Sequence, residues 1–183
     1  MRGAVALLLV VGLTGCASVP TKPTSEPVKT AAEPTKQAAE PKPERFRIVP
    51  DDYHVPYAGT AEDGRKFFLS DELFAGGSGY VGLYLWKADG TYDEVRVEEV
   101  RRTPGVPPGQ AASAGADALI ESRLAELGKY VLEPIDVEPF TTKIDGVTFG
   151  WALGQYEGAY SIHIEPGDFI AYYAPWDGLG YDT

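Results

Sequence analysis

Cysteine and histidine are nearly absent: the 183 residues include one cysteine, Cys16, and two histidines, His54 and His163. A lone cysteine excludes any disulfide within the chain, so the residues after it must fold by packing alone, even in an oxidising compartment. Thiolate-based zinc sites, iron–sulfur clusters and a cysteine nucleophile in the folded part are excluded with it. Two histidines leave few routes to general acid–base chemistry. Basic clusters are scarce as well, none being larger than Arg101-Arg102 in a chain of net charge −11. Phosphate backbones are gripped by Lys and Arg that displace counterions, so no nucleic acid is expected as a partner. No apolar run reaches the roughly 20 residues that a membrane-spanning helix needs.

The first residues do carry a pattern. Arg2 is followed by the apolar run Ala4 to Val11 and then by Leu13-Thr14-Gly15-Cys16. A positive start, an apolar stretch of this length and a small-residue cleavage site read as a secretory signal over residues 1–15. The run meets Pro20 and Lys22 too soon to continue as a membrane span. An ordinary cleaved signal leaves unexplained why the one cysteine stands at the cleavage point. The tetrapeptide resembles the lipobox of bacterial lipoproteins, and that resemblance implies cleavage before Cys16 and lipidation of the cysteine. One acyl chain holds a protein to a bilayer only marginally, whereas two or three hold it stably. Ala17 and Ser18 follow, with no aspartate there. By the sorting rule of the resembled family this favours an outer membrane, where the cell has one.

From Ala17 to Glu44 the chain is built mainly of Pro, Thr, Ala, Lys and Glu, with no aromatic residue. Such a segment cannot bury enough apolar surface to offset its ordering entropy, and its recurrent prolines favour extended, polyproline-like conformations. Residues 16–44 are therefore expected to be a lipidated cysteine and a disordered tether, able to reach roughly 85 Å at about 3.1 Å per residue. Lysines 22, 29, 36 and 42 balance glutamates 26, 33, 40 and 44. All the acidity thus falls in residues 45–183, which hold 11 Lys plus Arg against 23 Asp plus Glu, a net of −12. One domain fits this length. Its charge would favour a cationic partner or a divalent cation.

Within 45–183, aromatic and β-branched runs are punctuated by Asp-Gly pairs, the strongest short-range hairpin signal. Asp63-Gly64 joins a run at 57–61 to one at 65–69, Asp89-Gly90 joins 80–86 to 92–100, and Asp145-Gly146 joins 140–144 to 147–153. Further strands are expected at 135–138, 160–165 and 169–173, the last two bent apart at Pro166-Gly167-Asp168. One helix is expected from about Ala114 to Leu127, capped by Ser113 and closed by Gly128, with Ala116, Leu119, Ile120, Leu124 and Leu127 on one stripe. A single helical turn at 71–74, capped by Ser70, is a marginal addition. The pattern predicts an α+β domain, a mainly antiparallel twisted sheet or partial barrel of six to eight strands with one main helix on a face. The closing segment 174–183, with its Trp, Tyr and Pro, is expected to dock on the sheet.

Chemistry-bearing residues are few. In the run 160–165, alternation places Ser161, His163 and Glu165 on one face, the composition of a hydrolase triad. Same-face neighbours two residues apart stand about 7 Å from each other, beyond the reach that a nucleophile and its base require. A half-exposed strand with polar residues facing water accounts for the same pattern. Asp51, Asp52 and His54 bring two carboxylates and an imidazole together as candidate metal ligands, or else form a solvated loop before Pro56. Asp89 to Glu94 is oxygen-rich but lacks the spacing of an EF-hand, and reads as a type I′ hairpin. Gly76-Gly77-Ser78-Gly79 precedes a strand instead of opening a helix, so it reads as a flexible loop and not a phosphate cradle. The least ordinary feature is the load of Tyr and Trp between Tyr80 and Tyr181, most of it expected in the core and a minority lining a groove.

Gly64-Arg65-Lys66-Phe67-Phe68-Leu69, Glu72-Leu73-Phe74, Tyr84-Leu85-Trp86, Asp89-Gly90, Pro166-Gly167-Asp168 and Pro175-Trp176-Asp177 together resemble a group of small, uncharacterised bacterial proteins. The resemblance covers most of 45–183. Its motifs are turns and aromatic anchors, so it implies a shared fold and carries no catalytic residues. The expected function is that of a membrane-anchored envelope lipoprotein whose domain binds a protein or glycan without catalysis and without a cofactor. Two other classes stay open. One is an immunity or inhibitor lipoprotein whose acidity complements a basic toxin; the other is an envelope hydrolase or metal-dependent enzyme using Ser161, His163 and Glu165 with Asp51, Asp52 and His54. The geometry that separates them is whether both histidines share one concave site with a carboxylate.

Overall fold

The computed structural model describes residues 41–100, 113–167 and 169–183. The expected signal peptide, Cys16 and the tether through residue 40 lie outside the described residues. Among those described, the elements run β1 (Phe46–Ile48), β2 (Tyr57–Ala61), β3 (Lys66–Ala75), β4 (Ser78–Trp86), β5 (Tyr92–Val100), α1 (Ser113–Glu126), β6 (Tyr130–Leu132), β7 (Ile135–Val137), β8 (Thr141–Ile144), β9 (Val147–Tyr156), β10 (Ala159–Glu165), β11 (Ala171–Tyr172) and β12 (Tyr181–Asp182). They form a first sheet of order β5-β4-β3-β2-β6, a second of order β12-β11-β10-β9-β8, and the pair β1-β7. Every pairing is antiparallel.

The domain is therefore α+β and mainly antiparallel with one helix, as its sequence predicts. The expectation of six to eight strands in one sheet or partial barrel is corrected: twelve strands make three sheets among the described residues. Asp-Gly signals locate hairpins, but which sheet a hairpin joins is decided by faces that meet far apart in the chain. Strands of two or three residues, such as β1, β6 and β12, also carry too little alternation to be read.

The first sheet is covered on both sides, which explains the nearly unbroken apolar runs Phe67-Phe68-Leu69 and Leu83-Tyr84-Leu85-Trp86. Phe67, Leu69, Val81, Leu83 and Leu85 pack with Ala116, Ile120 and Leu127 of the helical segment. Phe68, Tyr84 and Trp86, on the opposite face, pack against Phe149, Trp151, Ile162, Ile164 and Tyr172 of the second sheet. Trp151 sits at the middle of that layer, its ring 5.3 Å from Phe46 and 5.2 Å from Phe68. The polar ends of two core aromatics are used across the layers: the Tyr84 hydroxyl donates to the Glu165 carbonyl, and Trp86 Nε1 to the Glu138 carbonyl, each at 3.0 Å.

The helical turn expected at 71–74 is instead part of β3. Leu73 and Phe74 pair with Tyr80 and Gly79, and the register slips between Ser70 and Leu73. One turn of helix has little stability of its own, so ladder bonds and the burial of Leu73 win. Ser70 still makes the short-range bond that suggested a cap, its Oγ accepting from the Glu72 N–H at 3.1 Å. Gly76-Gly77 is also corrected: both residues have positive φ, 57° and 89°, and form a tight two-residue hairpin turn between Ala75 and Ser78. The Asp89-Gly90 turn is not type I′, because only Gly90 has positive φ and its N–H closes a turn on the Lys87 carbonyl.

Candidate functional site

The loop between β1 and β2 is held by Asp51. Its Oδ1 accepts the backbone N–H groups of Tyr53 and Val55 at 2.8 and 2.9 Å, and its Oδ2 accepts the Tyr181 hydroxyl of β12 at 2.6 Å. Burial pushes this carboxyl up, but the Tyr181 hydroxyl, the two N–H groups and the neighbouring His54 outweigh burial and hold it below its usual range. His54 turns away from Asp52. Its Nδ1 is hydrogen-bonded to the carboxylate of Glu72 in the β3 bulge, and its ring lies against those of Tyr53, Phe169 and Tyr181. Glu72 and Tyr181, the residues that complete this cluster, were hidden from sequence reasoning. Glu72 falls in the segment whose sequence predicts a helical turn, and Tyr181 is remote in the chain.

Asp51, Asp52 and His54 do not converge as metal ligands. Asp51 is occupied by three donors, Asp52 is exposed, and His54 is committed to Glu72. Among the described residues no group of three or more His, Cys, Asp or Glu side chains is placed to hold a metal ion.

Ser161, His163 and Glu165 share a face of β10, as alternation requires. His163 Nε2 is 3.5 Å from Glu165 Oε1, and no hydrogen bond links Ser161 to His163 among the described residues. Registry places the two histidines apart. Ile162, Tyr172 and Tyr181 align across β10, β11 and β12 and face the core, while His163, Ala171 and Asp182 align on the other face. His54 lies with Tyr181 on the inner side; His163 lies on the outer. A single concave site holding both histidines is not what this sheet builds.

Two shallow hollows flank β12. The inner one, about 440 Å³, is lined by Val49, Asp51, Tyr53, Leu179 and Tyr181 among others. The outer one, about 360 Å³, lies on the outward face of the second sheet and is lined by Gly154, Gln155, Tyr156, Ser161, His163, Ala171, Tyr173, Asp182 and Thr183. Here β9 turns Trp151 and Leu153 toward the core and Ala152 and Gly154 outward. A Cβ on Gly154 would sit 2.9 Å from Ser161 Oγ and 3.4 Å from His163 Cε1. The missing side chain is therefore what lets the serine and the imidazole lie flat on the sheet. Tyr156 and Tyr173 rise around them, 79% and 46% exposed.

Ser161 and His163 lie on one face of β10, as the sequence alternation predicts, and both line the outer hollow. Tyr156 and Tyr173 were unsorted members of the aromatic surplus, although period-two alternation from the buried Trp151 and Tyr172 predicts which rings turn outward. The chain matches no protein-family model, and comparisons with curated proteins and with solved structures found no match.

Proposed function

We propose that the chain is an envelope lipoprotein, anchored through Cys16, whose domain is a non-enzymatic binding module for a protein or glycan. The observation that carries this reading is the outer hollow of the second sheet, where exposed Tyr156 and Tyr173 flank Gln155, Ser161, His163 and Asp182. Tyr side chains offer large, stiff contact area with a polar tip, and exposed apolar rings grouped around hydrogen-bonding groups are the usual anatomy of a recognition surface. The separation of the histidines and the missing Ser161–His163 bond favour binding over hydrolysis. Arg65, Arg96 and Arg123 pair with Asp63, Asp93, Glu94, Glu98 and Glu126 on the first sheet and helix, away from the outer hollow.

The lipid anchor rests on the sequence Leu13-Thr14-Gly15-Cys16, and the tether would hold the binding face away from the bilayer. The test is crosslinking in whole cells followed by purification of the full chain. A dominant envelope component recovered in stoichiometric amount is the expected result, and hydrolysis of envelope polymers by the purified chain would replace this reading with the enzyme one.

A further inference from the structure

We infer that the outer face of the second sheet takes a neutral or amino-bearing oligosaccharide, laid across Tyr156 and Tyr173. This deepens the binding reading and rests on it. Tyr156 ends β9 and Tyr173 follows β11, two strand positions away, so their backbones are separated laterally by about 10 Å at the ordinary interstrand spacing. That span suits a short run of pyranose rings, whose C–H faces stack on tyrosine while their hydroxyls seek hydrogen bonds. Those bonds are available between the two rings. Ser161 offers a hydroxyl, His163 a ring nitrogen and Asp182 a carboxylate, all on the outer face and lining the same hollow.

Charge narrows the class. Among the described residues the lining contains Asp182 and no Lys or Arg, and Glu165 stands beside His163 at 3.5 Å. The outward-facing cation of this sheet, Lys143, pairs with Thr148 near the start of β9, while Tyr156 closes its far end. An anionic sugar or a phosphate would meet the Asp182 carboxylate with no cation of the described lining to offset it, whereas a neutral or amine-bearing sugar meets an acceptor. The form of the hollow argues against a peptide. It is open and shallow, floored by Gly154 and Ala171, and has no deep apolar pocket for an anchoring side chain.

The test is titration calorimetry of the full chain in detergent with three probes: chitooligosaccharides, chitosan oligomers and oligogalacturonate. The first two should bind, and the third should bind at least about tenfold more weakly. Tyr156→Ala and Tyr173→Ala should each weaken binding by about tenfold through loss of a stacking face. Tyr156→Phe, which keeps the ring, should recover most of the binding that Tyr156→Ala loses, and Tyr53→Ala, which changes an exposed tyrosine at the other hollow, should leave binding unchanged. Equal binding of oligogalacturonate, or indifference to both alanine variants, overturns the inference. If no oligosaccharide binds but a photo-crosslinker at position 156 captures a protein in cells, the glycan is overturned and the binding reading stands. If neither occurs, both fall.

Discussion

The Tyr181 hydroxyl donates a hydrogen bond to Oδ2 of Asp51 at 2.6 Å, tying β12 to a loop 130 residues earlier in the chain. The same aspartate organises that loop, so one carboxylate joins two segments that bound the inner hollow. Depressed on folding, this carboxyl contributes stability that is present above its unfolded value and lost as the pH falls through its folded value. Asp51→Asn should lower stability near neutrality and flatten the loss below about pH 4. Urea titrations across that range check it. A variant whose acid limb runs parallel to the unaltered chain would contradict the assignment.

Tyr181 and its neighbour Tyr172 should respond oppositely to loss of the hydroxyl. Burial, and then the bond to Asp51, push Tyr181 up to about 12. Its stabilising contribution is therefore present below the ordinary tyrosine value near 10 and disappears as the pH rises toward the folded value. The Tyr172 hydroxyl is buried with no hydrogen-bond partner among the described residues. Tyr181→Phe should cost about 1 kcal/mol, whereas Tyr172→Phe should be near neutral or stabilising. Denaturant midpoints at neutral pH distinguish the two, and a larger loss for Tyr172→Phe would contradict the hydrogen-bond account.

Gly59 governs the far edge of the first sheet. A Cβ built there would lie 1.9 Å from the Val131 carbonyl oxygen, on backbone that cannot rotate away. Gly59→Ala should displace β6 from β2 and destabilise the domain by about 1–3 kcal/mol. Hydrogen exchange at Tyr130–Leu132 is the readout. Unchanged protection there would mean that the strands do not approach so closely.

These contacts also mark what could be read from the sequence. Hairpins announced by Asp-Gly, the helix stripe ending at Gly128, and the alternation of Ser161, His163 and Glu165 are local properties and were legible. The bulge that turns Glu72 toward His54 was not, because Ser70-Asp71-Glu72-Leu73 satisfies a helix cap as well as a strand irregularity. Nor was the pairing of Asp51 with Tyr181, which depends on how two sheets close on each other. The outer hollow falls between these cases. Trp151 and Leu153 opposite Ala152 and Gly154 indicate an inward and an outward face, but only the placement of β11 beside β10 brings Tyr173 to the Tyr156 side.

The anchor makes a separate prediction. Replacing Cys16 by Ala should move the protein from the membrane pellet to the soluble envelope fraction, since the stable attachment proposed depends on acyl chains at that residue. Continued pelleting would require a second attachment and contradict the anchoring reading.

The central claim, that the outer face of the second sheet meets the partner, is tested most directly by site-specific photo-crosslinking in living cells. A photoreactive residue is placed in turn at Tyr156, at Tyr173 and at Glu121, which is exposed on α1 across the domain's layers. Adducts formed from positions 156 and 173 and lacking from 121 are the predicted result. Adducts formed equally from all three, or from 121 alone, would contradict the claim.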